Sequence, residues 1–212
     1  MRKDTYINLI VVSSVNLIAA VVNVFLNALV IFAVATRQRL QINSTVLLAC
    51  LAGTDILAGL VAQPITVVVE VNRLLGGGSS CTLEKIQTVV IVAAVFASLS
   101  HLVLISGDRY VAIRNPLRYH DIVTKQRVTL GVLLAWASTA AVTIQETILA
   151  IFDSKTEIYS SCVQINTLIL LMIVMLFIAF IVFTNGYIYS ETRRQKKRML
   201  SEQLPQIGRA HV

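Results

Sequence analysis

Between Glu157 and Glu191 the chain reads EIYSSCVQINTLILLMIVMLFIAFIVFTNGYIYSE, and no Asp, Glu, Lys or Arg falls between the two ends. A helix needs about 20 consecutive apolar residues to cross the hydrocarbon core of a bilayer, and the run Thr167–Tyr189 meets that length. A transmembrane strand would be about ten residues of alternating polarity, which this run is not. Upstream, four more stretches follow the same rule. Charge is absent between Arg127 and Glu146, between Lys85 and Asp108, and between Asp4 and Arg37; Asp55 is the one charge between Arg39 and Glu70. The spans are read as about Ile7–Ala35, Ser44–Val69, Cys81–Gly107, Val128–Ala150 and Cys162–Tyr189. The fold class is therefore all-α, an integral membrane bundle of five transmembrane helices.

Composition agrees. The 212 residues are 56% hydrophobic and 14% charged, against about a quarter charged in soluble domains. Too few polar residues remain to clothe a soluble core. The net charge of +7 informs through its placement. Arg37, Arg39, the group from Arg109 to Arg127 and the tail from Arg193 to Arg209 lie on one side of the spans. Only Arg2, Lys3, Arg73, Lys85 and Lys155 lie on the other. Cytoplasmic segments carry the excess of Lys and Arg, so the N-terminus is expected outside and the C-terminus inside. The first apolar stretch is too long for a signal-peptide core and lacks a small-residue cleavage site; it is expected to insert as the first helix. Asn43-Ser44-Thr45 fits a glycosylation sequon but falls on the cytoplasmic side and is rejected.

Ionisable groups inside a bilayer are costly and are functional candidates by default. Asp55 lies mid-span beside small residues, in Leu51-Ala52-Gly53-Thr54-Asp55, and Asn27 lies mid-depth in the first span. Such a carboxylate must recruit a cation or donors, or stay protonated; a polar knot that only joins helices is the plainer alternative. In the third span, helical spacing of 100° per residue aligns Ile91, Ser98 and Arg109 on one stripe. That stripe runs from an apolar wall through a polar middle to a cationic end. Cys81 and Cys162 both lie on the outer side, where a disulfide persists, and such a bridge would pin the loop Phe152–Asn166 to the third helix. Cys50 reads as a small core residue. No metal-type Cys/His spacing is present, and no nucleophile–base pair or phosphate loop; the chain is not expected to be an enzyme.

Asp108-Arg109 alone would be a solvated helix end. It is followed by Tyr110-Val111-Ala112-Ile113 and Pro116-Leu117. It is accompanied by Asn27 with Leu29-Val30, by Leu51-Ala52 with Asp55, and by Trp136 in the fourth span. In order and spacing these residues resemble the rhodopsin-like family of G-protein-coupled receptors, over nearly the whole chain. The resemblance implies a seven-helix receptor fold in the plasma membrane. It also implies an extracellular small-molecule or peptide ligand, a heterotrimeric G protein as partner, and no nucleic acid. On the family pattern Asp108 holds Arg109 at rest and releases it to the G protein, with Tyr110, Pro116 and Leu117 completing the coupling surface. Asn27, Asp55 and Ser98 match the polar core, in which Asp55 and Ser98 correspond to an allosteric sodium pocket; no other cofactor is implied. Cys81 and Cys162 look like the outer disulfide.

The sequence departs from the family in places. Cys81 sits about one helical turn further from Arg109 than is usual. The fifth span has no proline, as in adenosine-, melanocortin- and cannabinoid-type receptors. Ile91 stands where amine receptors carry an aspartate, which disfavours a biogenic amine. The polar groups placed to reach a ligand are Gln63, Gln87 and Gln145, with Glu70 and Glu146. Residues 1–200 read as the receptor domain through its fifth helix, with a basic amphipathic extension at Glu191–Leu200, and the sixth and seventh helices are not expected here. Residues 201–212 read as a tail. Its end, Gln206–Val212, is encodable by CAG ATC GGA AGA GCA CAC GTC, which resembles a sequencing adapter, so part of the tail is expected to be foreign. Two other functions compete: a truncated receptor acting as a dominant-negative or trafficking partner, and a small membrane transporter. Against the transporter, no inverted repeat or broken helix pair is visible.

Overall fold

The computed structural model describes residues 3–37, 42–75, 81–152 and 157–209. All regular structure among them is helical. Five helices are long and apolar enough to cross a membrane: Ile10–Thr36, Ser44–Arg73, Cys81–Arg114, Lys125–Ile151 and Ser161–Met199. These are called the first to fifth spans. They match the five charge-free stretches, and each runs on a little past the apolar core because a helix continues into the polar interface. The fifth departs most. It belongs to one unbroken helix, Glu157–Arg209, which starts before Cys162 and carries the basic extension as helix.

The third span is the hub and packs against the second, fourth and fifth, while the first packs against the second. The buried apolar core is made mostly of small residues: Ala20, Ala52, Ala62, Ala97 and Ala135, with Leu47, Val69 and Phe96. In lipid no hydrophobic force drives helices together, so close approach of small side chains does the packing. Large apolar groups such as Phe25, Phe32, Leu133, Met172 and Phe183 face outward. Phe96 and Phe177 fill the gap between the third and fifth spans, with centroids 5.5 Å apart.

The second span contains a π-helical turn at Ala58–Ala62, just before Pro64. Proline has no N–H and its ring crowds the carbonyl four residues back; a wider turn accommodates both. Gly59 lies in that turn, against the first span. A Cβ there would stand 2.7 Å from Val24 Cγ2, so only glycine permits this approach. The first span thereby brings Asn23 to the second, where its Nδ2 donates to the Asp55 carbonyl at 2.8 Å.

Candidate functional site

The chemistry lies in three layers, one mid-span and one at each end of the bundle. In the middle, Ser98 Oγ donates to Asp55 Oδ1 at 2.9 Å, joining the third span to the second. Asn27 does not reach Asp55. Its Nδ2 donates to the Asn23 carbonyl at 2.9 Å and to Asn23 Oδ1 at 2.7 Å, and Asn23 makes the link to Asp55. The signal for Asn23 was its spacing of four from Asn27, which puts both on one helix face.

At the Arg109 end, Asp108 is buried. Ser44 Oγ donates to its Oδ2 at 2.6 Å and the Tyr119 hydroxyl to its Oδ1 at 2.7 Å; the two hydroxyls are 3.0 Å apart. Ser44 comes from the second span and Tyr119 from the short helix Tyr119–Ile122, so three segments meet on one carboxylate. This corrects the expectation that Asp108 holds Arg109. Neighbouring residues on a helix point about 100° apart: Asp108 turns inward, while Arg109 is exposed and has no ion-pair partner among the described residues. Burial pushes the Tyr119 phenol above its ordinary pKa, and its hydrogen bond to Asp108 pushes the same way, against the contact with Ser44. Tyr110 packs on Tyr187 of the fifth span at 5.0 Å and accepts from Arg114 at 2.5 Å. Pro116 opens a 3-10 turn, Pro116–Arg118, that presents Leu117 at 99% exposure.

At the opposite end, Asn166 is buried between the fourth and fifth spans. Its Nδ2 donates to Glu146 Oε1 at 2.6 Å, and Gln145 Nε2 donates to its Oδ1. Glu146 and Ile91 both line a cavity of about 270 Å³ between the third, fourth and fifth spans. Gln145 instead lines a cleft between the fourth and fifth spans. Gln63 and Gln87 line none of the described cavities, and Gln63 keeps its amide oxygen buried without a partner. Of the expected ligand contacts, Ile91 and Glu146 are thus at the cavity. Arg73 ties the second span to the third through Glu84 at 2.7 Å and reaches Glu70 at 3.4 Å.

The expected disulfide is not formed: Cys81 and Cys162 are exposed and free. Cys162 lies inside the fifth helix rather than in a loop. That helix turns Val163, Asn166 and Thr167 toward the cleft of Cys81, and Cys162 with Ile165 and Ile169 toward the fourth span.

Residues 26–209 match the family model described as 7 transmembrane receptor (rhodopsin family). The histamine H2 receptor of Rattus norvegicus is 33% identical over 110 residues, covering 52% of this chain and 30% of the relative. The alpha-1A adrenergic receptor of Oryzias latipes is 34% identical over 119 residues, 56% of this chain and 25% of the relative. The dopamine receptor 4 of Caenorhabditis elegans is 31% identical over 116 residues, 54% and 22%. The chain spans less than a third of the length of these relatives, all of which are receptors and not enzymes. With a family match over most of its residues, five membrane-length helices and the polar layers just described, this multi-pass membrane protein belongs to the rhodopsin family of seven-transmembrane receptors.

Proposed function

We propose that the chain is the ligand-facing and transducer-facing part of a plasma-membrane receptor. It would couple an extracellular ligand to a heterotrimeric G protein, with its N-terminus outside. The observation that carries this reading is the arrangement at the Arg109 end. Asp108 is satisfied by two neutral hydroxyls, which leaves the adjacent guanidinium exposed and able to enter a partner. Arginine is prominent among the residues that anchor protein interfaces, and Leu117 stands clear of the spans close by. The asymmetry of Lys and Arg supports a cytoplasmic placement of this end.

Asp55 and Ser98 offer a carboxylate and a hydroxyl, the hard oxygen donors that suit a cation such as sodium. They fit as two ligands of a larger shell, and a bound ion would neutralise Asp55. The test joins residues 1–200 to the sixth and seventh helices of a rhodopsin-family relative and measures nucleotide exchange on purified G proteins over a panel of extracellular ligands. Arg109→Ala is expected to abolish exchange with surface expression retained; full exchange in that variant overturns the coupling role. In the same receptor, sodium is expected to weaken agonist binding, and Asp55→Asn to remove that effect. A sodium effect that survives the substitution makes Asp55 structural only.

A further inference from the structure

We infer that His101 and Trp136 form a two-position latch between the third and fourth spans: the edge-on ring contact of this structure exchanges with a hydrogen bond from the Trp136 indole N–H to His101 Nε2. This goes beyond the reading of the chain as a receptor and does not depend on it. His101 lies inside the third span and is fully buried, at 0% exposure. Its Nδ1 is 2.8 Å from the Ala97 carbonyl. A carbonyl only accepts, so Nδ1 carries the proton, and in the neutral ring Nε2 offers a lone pair. No hydrogen-bond partner among the described residues reaches Nε2. Trp136 is the one tryptophan in the chain. Its ring meets His101 with centroids 5.7 Å apart and planes at 72°. Its indole N–H makes no hydrogen bond among the described residues.

An acceptor and a donor thus stand unused on two rings that already touch. A buried acceptor without a partner is costly, an indole N–H usually finds one, and lipid supplies neither. The nearby hydroxyls are committed to their own helices. Thr139 donates to the Ala135 carbonyl at 2.8 Å, Thr54 to the Leu51 carbonyl at 2.7 Å and Ser100 to the Phe96 carbonyl at 2.8 Å. The indole has a proton to give and room to turn. A cavity of about 200 Å³ lies beside it, lined by Ala93, Ala94 and Ala97 of the third span and by Thr139 of the fourth. The rings need not approach further, since a bond of about 3 Å between the nitrogens plus the reach of each ring comes to a similar centroid separation. Edge-on aromatic pairs and single hydrogen bonds contribute to similar extents. Neither position outweighs the other by much, so both are populated. The fourth span then has two ways of seating on the third, one packed and one bonded.

The experiment uses the 212-residue chain in lipid nanodiscs, with nitrogen-15 in the indole and imidazole rings, read by NMR. A single tryptophan gives a single indole N–H signal if its ring has one environment. The latch gives two signals, or one broadened by exchange, with the minor position at about 1% or more. His101→Phe keeps an edge-on ring contact and removes the acceptor, so one sharp signal should remain. Trp136→Phe removes the donor and should move the His101 Nε2 signal to that of an unbonded imidazole nitrogen; slow hydrogen exchange at the buried Nδ1–H tells this histidine from the others. A single exchange-free indole signal in the parent overturns the latch, as does exchange that survives His101→Phe. If His101→Phe does not fold, Trp136→Phe decides, and an Nε2 signal unchanged from the parent overturns the latch. None of these readings involves a ligand or a G protein, so the Arg109 and Asp55 tests are decided separately.

Discussion

Asp108 and Glu146 are both carboxylates held by neutral side chains from other helices, and they are held differently. Asp108 is buried with a hydroxyl on each oxygen, one from Ser44 and one from Tyr119. Glu146 is half-buried, engaged on one oxygen by Asn166, and lines a cavity. A buried acceptor whose partners are all within the protein fixes three segments in register and leaves little for a ligand to gain. A half-buried carboxylate held on one oxygen is positioned without being closed off from water. The contrast separates a group that locks three segments together from one that only steadies a pair of spans.

The largest effect should come from emptying the closed site. Asp108→Ala removes the acceptor of two hydrogen bonds to a charged group and leaves two hydroxyls without it, a loss of about 3 kcal/mol. It is read as a lower unfolding midpoint in SDS titration from bicelles. A midpoint within error of the parent would mean that the triad contributes nothing.

Tyr119→Phe keeps the ring and removes one of the two donors, so about 1.5 kcal/mol should be lost. The double variant with Asp108→Ala should lose less than the sum of the two single changes. Strict additivity would show that the phenol and the carboxylate do not interact.

At the open site the stability cost should be smaller. Asn166→Leu releases Glu146 Oε1, but that carboxylate is only half-buried and water can replace the amide, so the loss should be below about 1 kcal/mol. If Asn166→Leu proved as damaging as Asp108→Ala, the distinction between the two ends would collapse.

The smallest effect is a titration. The Tyr119 pKa is raised, chiefly by burial and then by Asp108. Its contribution to stability is therefore complete below the ordinary tyrosine pKa of about 10 and is lost as pH rises through the raised value. The difference in phenolate absorbance between the parent and Tyr119→Phe should show one tyrosine ionising above pH 10 or so. A midpoint below that would contradict the burial of the phenol.

How much of this was legible in the sequence follows from the range of the forces involved. The five spans were legible because the bilayer excludes charge residue by residue, and the gaps between charges record it. Asp55 and Ser98 were paired only through the family resemblance, because a regular helix fixes which residues share its own face and not which face of a second helix it meets. Ser44 and Tyr119 were not legible: their role needs the second span and the turn after the third to meet at Asp108, and no periodicity encodes that. The same holds for Glu146, which the sequence offers as one of several polar groups near span ends and only the cavity sets apart from Gln63 and Gln87. The disulfide expectation failed for a local reason, since it assumed a loop where the fifth helix had already begun.

That fifth helix touches both ends of the molecule. Asn166 meets Glu146 near its start, and Tyr187 packs on Tyr110, next to Arg109, further along. The 21 residues between them correspond to about 31 Å of rise. From Asn166 to Asn185 there is neither proline nor glycine, the residues at which helices most often bend. The segment is thus a stiff shaft as far as Gly186, which stands just before Tyr187: a turn of about 10° about its axis at Asn166 is carried to Asn185, moving a side chain by about 1 Å at the helix surface. Torque applied at the Asn166 end is delivered to the neighbourhood of the arginine, with Gly186 as the one joint on the way.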